Sequence, residues 1–336
     1  MDINTNQNDD QDGVPADVIR EMIRRSLESA QPLSDFLRFS AIDLDAPLPF
    51  LPQEPGAEIE LGPPGTSRVQ DGFLTGFQDF DRIVGGLRRG EIITVAGLPS
   101  SGLSTFLQNV VRRGVVGNDA KAVAFYSLET TREQVVRRLL SAEAKIEMRT
   151  FAAGLLRDSD WDRLTKAVQR LWNAKLFLDD DYLISLDDIY ENGAQRKRGI
   201  GLDLIVLDRV NVLGVDHGGV TPPLGETMAD LKDIALELDV PILLTCTADP
   251  KLADEQTHRL NVYSVPPAIQ LYSDVLTLLH RPDQWNVYSG DSDVPEPQKG
   301  LEVVELNVAR QTGGGSEILR LAFNARWGRF DNVLWD

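Results

Sequence analysis

The chain has 336 residues, 42% of them hydrophobic, and a formal net charge of -18. That length and apolar content suit one large α/β core with an appendage, and the acidic balance excludes a surface that coats nucleic acid generically, though not a local basic channel inside an assembly. A single cysteine, Cys246, excludes an intramolecular disulfide and a thiolate metal site, and the histidines His217, His258 and His280 are too scattered to pair as ligands.

The N-terminus has no apolar signal-peptide core, and no apolar run approaches the ~18 residues of a membrane span. A cytoplasmic protein without membrane contact is expected. Residues 1–68 read as a leader. Its first stretch, Met1 to Gly13, is rich in Asn, Asp and Gln and predicts disorder. A helix is predicted near 15–30, with Pro15 in its first turn and Val18, Ile19, Met22, Ile23 and Leu27 on one face. Pro32 ends or kinks it, Asp35 to Ile42 suggests a second short helix, and the prolines from Pro47 to Pro64 mark an extended linker. The apolar stripe needs a surface, either its own domain or a neighbouring subunit.

The globular domain is predicted over 69–336. Thr75-Gly-Phe-Gln-Asp-Phe-Asp81 and Gly85-Gly-Leu-Arg-Arg-Gly90 lead into an apolar strand, Glu91 to Ala96. Then comes Gly97-Leu98-Pro99-Ser100-Ser101-Gly102-Leu103-Ser104-Thr105, followed by a helix from Phe106 to Gly114. Strand, glycine-bounded loop and helix make the P-loop geometry, in which loop amides and a helix N-terminus hold a phosphate chain. The pattern G-x-x-x-x-G-K-[ST] fits at Gly97, Gly102 and Ser104, but Leu103 stands where the lysine belongs. The competing reading of the loop is a glycine turn without a ligand.

Further along, strands are predicted at Lys121–Ser127, Leu176–Leu178, Leu202–Asp208, Val240–Cys246, Asp274–His280, Leu301–Val308 and Ile318–Phe323. Helices are predicted from a capping box at Thr130-Thr-Arg-Glu133 to about Glu143, over Ser159–Trp172, from Ser185 to about Arg198, and over Leu224–Leu238. The alternation implies a mainly parallel sheet with helices on both faces. Ligands in such sheets sit at the strands' carboxyl ends, where Gly97, Glu129, Asp208 and Cys246 fall. Three features have bland readings: Asp179-Asp-Asp181 as an exposed acidic turn, Arg196-Lys-Arg198 as a solvated helix end rather than a DNA contact, and Cys246 as core. Trp327 and Phe330 are expected to pack the last strand.

The motif order then resembles one family. Thr75 to Asp81, Gly86-Leu-x-x-Gly90, the P-loop, Ser127-Leu-Glu129, Ile205-Val-Leu-Asp208 and the closing Phe323-Asn-x-x-Trp-x-Arg-Phe-Asp-Asn332 are similar to the C-terminal RecA-type motor domain of the DnaB replicative helicases, from about Val69 to Asn332. The resemblance implies a RecA-like P-loop fold, ATP and Mg as ligands, a sixfold ring and contact with single-stranded DNA. It implies that Gly97, Ser100, Ser101, Gly102, Leu103, Ser104 and Thr105 form the nucleotide loop. Ser104 and Asp208 would hold magnesium, and Glu129 would polarise the attacking water. The residues alone leave Glu129 open as a solvated strand-end acid and Asp208 as a capping or salt-bridged acid. The family's N-terminal helical collar is missing from residues 1–68, and the leader helix resembles the linker helix that docks on the next subunit.

Four functional positions depart from the family together. Leu103 replaces the lysine. Thr245-Cys-Thr247 lacks the glutamine sensor, Tyr263-Ser-Val-Pro-Pro267 lacks an arginine and a glutamate, and Ala309-Arg-Gln-Thr-Gly313 lacks the cations that reach a neighbour's nucleotide, unless a one-residue shift lets Arg310 serve. Phosphoryl transfer rests on positioning and charge, and one arginine at an interface is worth ~10³ to 10⁵ in rate. The expected protein is therefore a structural or regulatory helicase-like subunit with weak or absent ATPase, in a homo-oligomer or beside helicase-like subunits. The alternative is an active ATP-dependent helicase or translocase in which Arg88, Arg89 or Arg209 supplies the missing charge, although Arg209 reads by itself as a surface residue. A DNA-binding module without chemistry is the third reading.

Overall fold

The computed structural model describes residues 18–21, 23, 72–116, 120–172, 174–213, 222–255, 257, 259–282, 301–311 and 316–333. Its centre is a nine-stranded sheet of order β3-β2-β4-β5-β1-β6-β7-β8-β9. In chain order the elements are α1 (Gln78–Val84), β1 (Ile92–Gly97), α2 (Leu103–Val115), β2 (Val123–Ser127), α3 (Arg132–Ala144), α4 (Met148–Ala152), α5 (Asp158–Trp172), β3 (Leu176–Asp179), α6 (Leu186–Gly199), β4 (Leu204–Asp208), α7 (Leu224–Glu237), β5 (Ile242–Thr247), α8 (Pro267–Tyr272), β6 (Val275–His280), β7 (Glu302–Gln311), β8 (Glu317–Asn324) and β9 (Arg329–Asn332). The six strands from β3 to β6 are parallel, and β7, β8 and β9 continue the sheet antiparallel.

The strand period explains the two-faced core. β1 is buried throughout, yet Ile93 and Val95 join one cluster while Ile92 and Ala96 join the other. Successive residues point to opposite faces, so a strand buried on both sides feeds both clusters. On the first face lie α1, α2, α3 and α5, through Phe80, Phe106, Val136 and Leu164; on the second lie α6, α7 and α8, through Ile189, Leu231 and Ile269. The mainly parallel sheet with two helical layers agrees with the sequence reading. The antiparallel β9 and the short helices α1, α4 and α8 go beyond it.

The leader is described only at residues 18–21 and 23, which are helical. Ile19 and Ile23 are fully buried in the first-face cluster, and Arg20 pairs with Asp162 of α5 at 2.5 Å. Those residues pack on their own domain. The rest of the 15–30 segment, the 35–42 helix and the proline-rich linker lie outside the described residues, as do His217 and His258.

Local chemistry corrects three readings. The cap of α3 is Thr131, whose side chain accepts from the Gln134 N–H, and not a box formed by Thr130 and Glu133. Thr130 instead receives the Ser127 hydroxyl. The Arg196 guanidinium is buried, 3.4 Å from the centroid of Phe177, and Lys197 donates to the Leu238 carbonyl, so of this cluster only Arg198 is a solvated helix end. Trp327 is half-buried, whereas Phe330 is fully buried and stacks on Phe323 at 4.4 Å, so the last strand is held by the phenylalanine. Asp180 accepts from the Arg132 N–H at 2.7 Å, so the acidic turn caps a helix, and no group of three His, Cys, Asp or Glu side chains suited to a metal is found among the described residues. No helix among the described residues is long and apolar enough to cross a membrane.

Candidate functional site

At the carboxyl ends of β1, β2, β4 and β5 lies a cleft of ≈ 610 Å³ lined by residues 98–100 and 102–105, Glu129, Thr130, Arg138, Arg209, Thr247 and Arg281, among others. The volume suits a small-molecule ligand. The loop folds as the glycine spacing requires. A Cβ on Gly97 would lie 2.6 Å from the Ser101 hydroxyl, so only glycine lets the chain double back here. Gly102 has φ +103, a left-handed conformation that turns the chain into α2. Ser100 also sits at positive φ, a strain that tends to persist only where the surroundings enforce it.

The expected loop residues separate into two layers. Ser100, Gly102, Leu103, Ser104 and Thr105 line the cleft. Gly97 and Ser101 lie beneath it, and the buried Ser101 hydroxyl has no partner. Leu103 is only 8% exposed and belongs to the apolar core, with its Cδ2 3.1 Å from the place a Gly97 Cβ would occupy. The side chain at the lysine position therefore packs downward over the loop and brings no charge.

Asp208 is fully buried at the end of β4. Its Oδ1 accepts from the Ser104 hydroxyl at 3.0 Å and from the Thr245 hydroxyl at 2.9 Å, while its Oδ2 has no partner among the described residues. Burial pushes its carboxyl above the ordinary range; the two hydroxyl bonds oppose this, the Glu129 charge reinforces it and the Arg138 charge opposes it. It neither caps a helix nor forms an ion pair among the described residues. A buried carboxylate with one unused oxygen, bonded to a hydroxyl that faces the cleft, is a donor set that fits a hard cation such as magnesium.

The raised proton affinity has a stability consequence. The folded state holds the proton on Asp208 more firmly than the unfolded chain does, so this residue favours folding at low pH and loses that advantage as pH rises through the shifted value. Asp208→Asn is expected to melt above wild type at pH 8 without magnesium, with the gap narrowing towards pH 5. A pH-independent gap in thermal melts would contradict the assigned cause.

Glu129, after β2, is half-exposed in the cleft and forms an ion pair with Arg209, the residue after Asp208. The two elements are neighbours, with Ser127 in register with Asp208. Arg209 has φ +74, and its N–H donates to the Thr245 hydroxyl at 2.8 Å. It is thus a cleft residue and not a surface one. Arg88 and Arg89, the other two proposed cations, sit before β1, at the opposite strand ends, and pair with Glu91 and Asp239.

Two cleft arginines escaped the sequence reading. Arg281 is held by Glu302 through two hydrogen bonds of 2.5 and 2.9 Å. Arg138 on α3 has no hydrogen bond or ion pair among the described residues. A signal for it existed. Arg137 pairs with Glu133 at i,i+4 spacing, which leaves its neighbour, a hundred degrees round the helix, to point elsewhere. Thr247 lines the cleft, and its N–H donates to Asn211 Oδ1 at 2.9 Å. The side chains of Arg310 and Gln311 and residues 312–315 lie outside the described residues, so the neighbour-reaching hairpin is not placed.

Comparison with known proteins matches residues 72–332 to the model of the DnaB-like helicase C terminal domain. The chain is 29% identical over 267 residues to the replicative DNA helicase DnaB of Geobacillus stearothermophilus, covering 78% of this chain and 57% of that protein. It is 28% identical over 267 residues to the replicative DNA helicase DnaC of Bacillus subtilis, with the same coverage. The chain therefore spans a little over half the length of these relatives. Among solved structures, a DnaB-like replicative helicase studied for its interactions with primase superposes with a TM-score of 0.70 at 22% identity, covering 78% of this chain and 62% of that one. A second solved structure, an ATPase domain, gives a TM-score of 0.70 at 22% identity over 78% of this chain and 92% of that one.

Proposed function

The chain belongs to the family of DnaB-like helicase C-terminal domains, and on that premise we infer that it is a nucleotide-binding RecA-type subunit with impaired hydrolysis, serving a structural or regulatory role in a helicase-like assembly. The observation that carries this reading is Leu103, an apolar side chain packed into the core at the position where phosphate transfer needs a cation. In the anion-free cleft Glu129 is held by Arg209.

Binding is supported separately from turnover. The loop amides and the N-terminus of α2 favour an anion. Three arginines and one glutamate line the cleft of a chain whose net charge is -18. ATP is the anion the loop suits. Magnesium would supply charge neutralisation at the phosphates, and Ser104 with Asp208 would hold it. Arg138, unpaired, would stand as the resident phosphate cation.

Arg138 also favours a second reading, an ATP-driven helicase or translocase in which this guanidinium does the work of the lysine. On either reading the partners are further copies of this chain or helicase-like subunits. Residues 263–267 offer no cation to single-stranded DNA, so DNA contact would come from elsewhere in the assembly.

The first test is calorimetric titration of ATP with and without magnesium. Wild type is expected to bind, and Ser104→Ala to lose about tenfold of the magnesium-dependent affinity, the worth of one hydroxyl contact to a charged partner. Absence of binding in both proteins would end the nucleotide reading.

A further inference from the structure

The Glu129–Arg209 pair is placed where no packing need explains it. Both side chains line the cleft, and their exposure, 50% for Glu129 and 30% for Arg209, makes the pair weak and exchangeable. The backbone at Arg209 is left-handed, a conformation costly for a non-glycine residue, and the Thr245 hydroxyl fastens its N–H there. The same hydroxyl donates to Asp208 Oδ1. One threonine thus fixes both the buried carboxylate and the direction in which the next side chain leaves β4. The Arg209 Nε is buried without a partner among the described residues, so the guanidinium does not use its full set of donors in the pair.

We propose that Arg209 is a reserve phosphate ligand, which exchanges Glu129 for the terminal phosphate of a bound nucleoside triphosphate and so adds to binding, not to cleavage, a charge that Leu103 does not supply. This rests on the nucleotide reading above. In a P-loop the serine hydroxyl and its acidic partner serve the metal that bridges the last two phosphates. Ser104 and Asp208 mark that end of the cleft, and Arg209 is joined to Asp208 in sequence and through Thr245. A planar guanidinium forks onto phosphate oxygens as readily as onto a carboxylate. A phosphate chain brings more negative charge than one glutamate, so Arg209 turns to it and Glu129 is released into the cleft. The pair holds the two groups together while the cleft is empty of anion and separates them when a triphosphate is present. Arg138, which is unpaired, makes no such exchange.

The exchange is tested with a double-mutant cycle read by calorimetry, using magnesium with a β,γ-methylene analogue of ATP, and ADP as the control. Arg209→Gln is expected to weaken the analogue about tenfold and ADP less than threefold. Arg209→Lys, which keeps the charge but not the fork, is expected to recover part of the loss. Glu129→Gln frees Arg209 and is expected to tighten the analogue several-fold, and that gain is expected to vanish in the Glu129→Gln, Arg209→Gln double variant. Thermal melts of each variant establish that it is folded. Analogue binding indifferent to Arg209, or a Glu129→Gln gain that survives in the double variant, would overturn the proposal while leaving the nucleotide reading intact. Failure of wild type to bind either compound would overturn both.

Discussion

Leu103→Lys is expected to tighten ATP binding about 10- to 100-fold and to lower the stability of the ligand-free protein by about 1–3 kcal/mol. The two effects share one cause. Leu103 is 8% exposed and rests over Gly97 and against the apolar core. A lysine keeps its methylenes along that path and sends its ammonium up into the cleft. Without a ligand, that charge is part-buried beside Arg138 and Arg209, and Glu129, the acid that lines the cleft, is already paired with Arg209, which costs stability. With a phosphate chain present, it gains a charge-assisted hydrogen bond. Calorimetry and urea unfolding measure the two changes on one preparation. An affinity unchanged by the lysine, in a variant that unfolds as easily as expected, would show that this position does not face the phosphates.

The largest stability effect is expected at Glu143. This carboxylate on α3 is 5% exposed and accepts from Arg112 at 2.7 Å and Arg170 at 2.6 Å. Arg112, on the P-loop helix, is 6% exposed, and its Nε and Nη2 have no other partner. Glu143→Ala leaves that guanidinium buried with no compensating charge, a loss of about 3–5 kcal/mol. Burial pulls the Glu143 carboxyl upward, but the bonds from Arg170 and Arg112 win and hold it below the ordinary glutamate range. Its contribution is therefore present above the unfolded value of 4.5 and is lost as pH falls through the lower folded value. Urea unfolding at pH 7 and at pH 3.5 is expected to show the wild-type advantage shrinking in acid. A loss below about 1 kcal/mol at pH 7 would mean that water reaches Arg112 and the pair is not truly buried.

Much of the fold was legible because its signals are local. Runs such as Ile92 to Ala96 and Leu204 to Leu207 declare buried strands by composition, and the helices between them by period. The loop was legible at Gly97 and Gly102 for a stricter reason, since each position refuses a side chain. The nearness of Ser104 and Asp208 was implied by the family resemblance, which assigns both to one magnesium ion, and the two side chains meet. What escaped depends on side-chain direction. Arg209 and Arg88 look alike as single arginines, and only the left-handed backbone after Asp208 turns one of them into the cleft. Arg138 was hidden beside Arg137, and Arg281 depends on a partner, Glu302, twenty-one residues away on an adjacent antiparallel strand. The cap at Thr131 was missed by one residue because two threonines stand in succession and both have the right chemistry.

The retained and the lost parts of the site point in one direction. On the proposed reading, the loop, the Ser104 hydroxyl and the buried Asp208 would hold a nucleotide and its metal, while a core leucine stands at the position where that reading asks for a cation. Steady-state hydrolysis of ATP by the purified full chain, with magnesium and with or without single-stranded DNA, tests this most directly. The account predicts turnover no faster than that of the Glu129→Gln variant, and no stimulation by DNA. Rapid hydrolysis that DNA stimulates and Glu129→Gln abolishes would contradict it.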